Sequence, residues 1–214
     1  MKLEHWQIVF KVYRQVRGLL DQWLPAELPG GEGRTQVQVG RAGMSQLQSL
    51  LVAAAEQLRA ELGAHYRSEE VEDALRPFTY LVDELVLRRL AEAEQAEWPL
   101  LQFRLFGEEG GGDLFFELAD ERLNQPGAPP LLFELLHFCL TAGFTGRYPG
   151  NTAKLREYKQ RLAGRIVTPE PLPSEASVAP ANTRPLLYEF PARYYAAASL
   201  CVLGVQGLLW WLSH

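Results

Sequence analysis

The sequence predicts an all-α protein: a helical domain followed by one transmembrane helix at the C-terminus. Three observations point there. Apolar residues recur at helical spacing in one segment after another, no stretch sustains period-two alternation, and a long run near the C-terminus carries no charge at all.

The first helix is expected over residues 3–24, where Leu3, Trp6, Ile8, Val9, Tyr13, Val16, Leu19, Leu20 and Trp23 approximate one face. Pro25, Pro29 and the glycines at 30, 31 and 33 end it in a loop. A second helix fits residues 43–62, with Leu47, Leu50, Leu51, Ala54, Leu58 and Leu62 inward and Gly63 as its stop. Ser68, followed by Glu69 and Glu70, reads as an N-cap with an acidic first turn at the positive end of a helix dipole. Pro77 should break that helix, since it lacks the N–H for the i−4 carbonyl, with a new helix from Pro77 to about Ala91.

Pro99 opens a short helix ending at Phe106. The glycine-rich stretch 107–112 reads as a loop, with Asp113 as the cap of a helix over 114–123. After a second loop at 125–130, Pro130 suits the first position of a helix over 131–142. That helix is apolar on nearly every face and should be the most buried one. Residues 143–150 form a glycine-rich turn, and Asn151 or Thr152 caps a last helix to about Ile166. Residues 168–191, rich in Pro, Ala and Ser, follow the domain of residues 1–167 as a tether.

Every Lys, Arg, Asp and Glu lies at or before Arg193. The uncharged run Tyr194–Leu212 would span about 28 Å as a helix, close to the hydrocarbon thickness of a bilayer. Tyr194 and Tyr195 at one end and Trp210 and Trp211 at the other suit the headgroup level. The transmembrane helix is therefore set at residues 192–212. Arg184 and Arg193 precede it and no Lys or Arg follows, so the positive-inside tendency puts the helical domain in the cytoplasm and His214 outside. The N-terminus, Met1-Lys-Leu-Glu-His-Trp6, has no apolar core of a signal peptide.

A net charge of −5 argues against a nucleic-acid partner. Cys139 and Cys201 read as small packing residues on either side of the tether, not as a disulfide. His5, His65, His137 and His214 have no metal-ligand spacing, and His137 reads as a hydrogen-bonded core histidine. The 107–112 loop lacks a phosphate-loop lysine, and Glu108 and Glu109 would repel a phosphate. No catalytic residues, cofactor or metal are therefore assigned. Asp83 and Glu84 are the charges of most interest, adjacent on an otherwise apolar helix. Neighbouring helical residues diverge by about 100°, which does not suit a catalytic dyad. Glu84 can pair with Arg88 at i+4, leaving Asp83 capping or solvated; the alternative is a carboxylate lining a partner cleft.

Three blocks occur in order: Phe78-Thr-Tyr-Leu-Val-Asp83-Glu84, then Gly110-Gly111-Gly112-Asp-Leu-Phe115-Phe116, then Leu140-Thr-Ala-Gly143-Phe144-Thr-Gly146-Arg147-Tyr148. With the C-terminal apolar run, this set resembles the TssL family (DotU/IcmH-like) of bacterial type VI secretion and its type IVB relatives. The resemblance implies a hook-like pair of small helix bundles in the cytoplasm, held in the inner membrane by a single pass. It implies a non-enzymatic scaffold that sits with a TssM-like inner-membrane protein and a TssJ lipoprotein and faces a TssK-like baseplate protein. Asp83 and Glu84 match the family's acidic pair in a cytoplasmic cleft. One departure follows that pair: residues 87–97 lack the family's Thr-x-Trp-Gly element, and Trp98 alone matches a family tryptophan.

The motif residues also have physical roles. Gly143 and Gly146 suit positive-φ turns, and Arg147 suits capping a helix end or pairing with a carboxylate. Of Phe115 and Phe116, one is expected in the core and the other against a neighbouring helix. In the membrane run, Ala197, Cys201, Gly204 and Leu208 share a face that fits self-association, and Gln206 is a polar group at depth. Two rival functions stay open: a membrane-bound enzyme using Asp83 and Glu84 as acid and base, and a tail-anchored adaptor unrelated to secretion.

Overall fold

A computed structural model describes residues 3–25 and 40–166. The tether and the transmembrane segment lie outside the described residues, as do Cys201, Gln206 and the proline–glycine loop after Pro25. No helix among the described residues is long and apolar enough to cross a membrane.

The described residues are helical, without a strand. In order these are α1 (Leu3–Trp23), α2 (Arg41–Gly63), α3 (Ser68–Leu87), α4 (Glu92–Gln95), α5 (Leu101–Phe106), α6 (Gly111–Asn124), α7 (Pro130–Thr141) and α8 (Thr152–Ala163). The hub is α3, which packs on α2, α5, α6 and α7, while α1 lies along α2 and α8 along α7. Val9, Val16 and Leu20 of the expected face of α1 meet the core together with Val12, at i, i+3, i+4 spacing, whereas Leu3, expected on that face, is 76% exposed. Leu50, expected inward, is 37% exposed. On α2 it lies one position, about 100° around the helix, from Leu51, which does enter the core.

Pro77 does not break the chain: α3 runs through it from Ser68 to Leu87 and ends short of Ala91. An interior proline costs about 3 kcal/mol. Its neighbours Leu75, Phe78, Leu81 and Val82 are all buried, and fully burying one such side chain contributes about 1.5–3 kcal/mol, so packing outweighs the proline. The Cys139 thiol, itself fully buried, donates to the Pro77 carbonyl at 3.4 Å, joining α7 to α3 at that point. Burial pushes that thiol well above its ordinary pKa.

Two caps also differ from expectation. Arg67, not Ser68, is the N-cap of α3, and its N–H donates to the Glu70 carboxylate at 3.1 Å. The cap of α6 is Gly110 in a left-handed conformation; the helix starts at Gly111, so Asp113 falls in its first turn. There its charge still favours the dipole. Pro130 and Asn151 take their expected places, and the Asn151 side chain accepts from the Lys154 N–H at 3.0 Å. Most of α7 is buried, as is nearly all of α3 from Pro77 to Val86, so two helices in contact share the centre. His137 is half-buried on α7 and not a core residue.

Candidate functional site

Where α3 passes the start of α6 there is a cleft of about 310 Å³, lined by Asp83, Glu84, Arg88, Gln102, Gly111 and Thr145 among others. All three sequence blocks meet here. Asp83 and Glu84 come from α3, Gly111 and Gly112 from the first turn of α6, and Phe144 and Gly146 from the turn after α7.

Asp83 is only 3% exposed, and it is not solvated. Its Oδ1 accepts from the indole N–H of Trp98 and the backbone N–H of Leu101, both at 2.9 Å; its Oδ2 accepts from the Gln102 N–H at 3.0 Å. Leu101 and Gln102 are the first two residues of α5, whose N–H groups have no partner within their own helix. Asp83 thus caps a neighbouring helix from the side and fixes the indole that lies before it. Burial pushes the Asp83 carboxyl above its ordinary pKa, while the three donors pull it back down.

Glu84 points elsewhere. It accepts from the Thr145 N–H at 3.0 Å, the Gly146 N–H at 2.9 Å and the Thr145 hydroxyl at 2.8 Å. Arg88 donates to the same carboxylate, the expected i+4 pair, and also to the Thr145 hydroxyl at 2.9 Å. Two successive N–H groups turned toward one carboxylate make a small anion nest. The two acids are therefore committed to different segments.

The nest depends on how α7 ends. Gly143 has φ +106°, the Phe144 N–H reaches back to the Cys139 carbonyl at 3.0 Å, and the Gly143 N–H reaches the Leu140 carbonyl at 3.4 Å. This is a Schellman stop, and it turns the chain so that Thr145 and Gly146 face Glu84. Gly146, at φ +48°, also lies so close to α6 that a Cβ there would stand 2.6 Å from the Gly112 carbonyl oxygen. That oxygen accepts from the Arg147 N–H at 3.2 Å. At Gly111 a Cβ would stand 2.2 Å from Gln102 Oε1 and 2.6 Å from the Tyr80 ring. The start of α6 must therefore be bare of side chains to enter the cleft.

Behind the turn lies an aromatic cluster. Phe115 and Phe116 are both fully buried, and Phe116 lies against Tyr158 of the neighbouring α8. Phe144 packs on Phe115 at 4.3 Å, and Phe116 meets Tyr148 at 4.7 Å and Tyr158 at 4.9 Å. Arg147 lies over the Phe116 and Tyr148 rings and 3.8 Å from the Asp113 carboxylate; of its two expected roles it takes the carboxylate pair, not the helix cap. Tyr158 donates to Asp120 at 2.6 Å, and burial with that neighbouring charge pushes its hydroxyl up to about 12.

A family model for the type VI secretion system protein DotU matches residues 33–214. The chain belongs to the DotU family. Two solved structures are similar in fold. DotU from Francisella novicida gives a TM-score of 0.57 at 19% identity, over 78% of this chain and 100% of that one. SciP/TssL from enteroaggregative Escherichia coli 042 gives 0.51 at 25% identity, over 81% and 96%. No curated protein sequence matches. Family membership makes the chain a component of type VI secretion, a structural role and not a known class of enzyme.

In this DotU-family chain Asp83, Glu84, Gly111, Gly112, Phe144 and Gly146, all named from the sequence, line the cleft. Thr145, Gln102 and Tyr80 were not singled out, although they line it. Thr145 stood between two flagged residues, but a lone threonine in a turn carries no pattern. Tyr80 donates to Glu108 at 2.5 Å, a join of α3 to the α5–α6 loop with no spacing signal. Among the described residues no group of three or more His, Cys, Asp or Glu is placed to hold a metal.

Asp83→Asn should destabilise the domain by about 1–3 kcal/mol, because its amide meets N–H groups that need an acceptor. A carboxyl whose folded pKa is raised binds its proton more tightly when folded. Its ionisation opposes folding at neutral pH, and the penalty is relieved as pH falls from the raised value toward the unfolded one. The stability advantage of the native protein over Asp83→Asn should therefore widen on acidification, in urea titrations at a series of pH values. Gly146→Ala should cost about 2 kcal/mol or more, from the left-handed φ and the Gly112 clash. Gly150→Ala, at φ +78° in open space, should cost about 1 kcal/mol in the same assay.

Proposed function

We propose that this DotU-family chain is a non-enzymatic scaffold subunit of the type VI secretion membrane complex. Residues 192–212 anchor it in the bacterial inner membrane, residues 168–191 tether it, and residues 1–167 work in the cytoplasm as two small bundles joined through α3. The family match over residues 33–214 carries this proposal. The uncharged run that ends the sequence supports the anchor. The two acids, each saturated by internal donors, support scaffolding over acid–base catalysis.

Its partners are a TssM-like inner-membrane protein, with a TssJ lipoprotein in the same complex, and a TssK-like baseplate protein. Anchoring serves the function by confinement: a domain held at the bilayer meets co-anchored partners at high effective concentration. The cleft is the cytoplasmic partner site, and Asp83 and Glu84 shape it by holding α5 and the 143–148 turn in place. A partner segment would then rest on the exposed rim, not on the two internally bonded carboxylates.

The test is co-purification of the full chain, in detergent, with TssM-like and TssK-like proteins of the same system. Stable association with at least one is expected; association with neither defeats the proposal. Leu87→Arg, on the cleft wall, should weaken TssK-like capture about tenfold with helix content unchanged by circular dichroism. Undiminished capture would move the partner site off the cleft.

A further inference from the structure

The outward face of α1 is not explained by the cleft or the core. Leu3 is 76% exposed and Phe10 48% exposed, the two largest exposures of apolar side chains on this helix. Leu3, Phe10 and Arg17 stand seven residues apart, two helical turns, and so fall on one stripe. Trp6 and Tyr13 flank it, half-buried against Phe138 of α7 at 5.7 and 5.2 Å between ring centres. Trp6 is held there by a 2.9 Å hydrogen bond from its indole N–H to Glu134, so the aromatic edge is a fixed platform.

Charge follows the aromatics along the same stripe. Arg14 and Arg17 are exposed, and neither has an ion-pair partner among the described residues. The other charges of α1 differ: Lys11 pairs with Glu61 at 2.8 Å, Asp21 with Arg89 at 2.8 Å, and the exposed Glu4 lies about 100° around the helix from Leu3. A protein of net charge −5 thus presents one outward stripe of rings and unpaired guanidinium groups. The stripe also precedes residue 33, where the family match begins.

We propose that this stripe of α1 lies on the anionic headgroup surface of the bilayer, with Leu3, Trp6 and Phe10 entering the interface and Arg14 and Arg17 meeting lipid phosphates. Aromatic rings with adjacent arginines suit the depth at which hydrocarbon gives way to headgroups. The acid that a second copy could offer from the same stripe, Asp21, is already paired with Arg89, whereas an anionic leaflet offers phosphates throughout. The inference rests on the anchoring proposed above. Residues 168–191, fully extended, span at most about 80 Å, so the anchor leaves any face of the domain able to reach the membrane.

The test uses the full chain carrying Cys201→Ser and a nitroxide on Gln7→Cys, an exposed position beside the stripe; Cys139 is buried and stays unlabelled. The protein is placed in nanodiscs of phosphatidylcholine alone, or of phosphatidylcholine with phosphatidylglycerol. On the anionic discs the nitroxide should become more accessible to lipid-soluble oxygen and less to an aqueous nickel chelate. The shielded population should rise about tenfold or more over the zwitterionic discs. Arg14→Glu with Arg17→Glu should abolish that rise with the thermal unfolding midpoint unchanged. A nitroxide open to water on both discs, with the protein still eluting with them, overturns the inference and leaves the anchor standing. Protein that never elutes with the discs overturns both. Equal shielding on the two lipids, or shielding in detergent with dipolar broadening between labels, also overturns it, the latter in favour of a second copy.

Discussion

Two segments of this protein begin with backbone N–H groups that nothing local can satisfy: the first turn of α5, and the turn after α7. Neighbouring residues of α3 supply the acceptors, Asp83 to the first and Glu84 to the second. The 100° divergence of adjacent helical side chains, which makes a poor catalytic dyad, is what allows one helix to hold two separate pieces of chain. The cleft exists because those two pieces are held apart, with the bare start of α6 between them.

The rest of the motif residues serve the same arrangement. A Schellman stop lets α7 end abruptly, Gly146 lets the turn touch α6 backbone to backbone, and Phe144 drives the turn into the Phe115–Phe116 cluster. Arg88 balances the charge of Glu84 while orienting the Thr145 hydroxyl. The shape of the cleft in this type VI secretion component is thus held by internal hydrogen bonds.

Much of this was legible from the sequence. Helical periodicity placed most of the core faces of α1 and α2, Leu3 and Leu50 excepted, Pro130 and Asn151 marked their helix starts, and the i+4 spacing of Glu84 and Arg88 foretold their pairing. The misses have physical causes. Pro77 looked like a break because a local rule was applied to a helix whose burial on all sides outweighs it. Asp83 was legible as capping, solvated or lining a partner cleft; the helix it caps was not, because its three donors lie 15 to 19 positions away and no periodicity reports such a contact. Asp113 looked like a cap because glycine, the real cap of α6, gives no side-chain signal. Phe115 and Phe116 could not be told apart, since α6 is covered on more than one face.

Glu84 and the N–H groups it binds are separated by 61 and 62 positions. A growing chain cannot make that join until residue 146 has been synthesised, long after α3 itself can coil. Until then Glu84 and Arg88 have only each other, and the apolar half of α3 waits without α7 to cover it. The cleft therefore cannot be completed while α3 is the last helix made; it waits on the residues that follow α7.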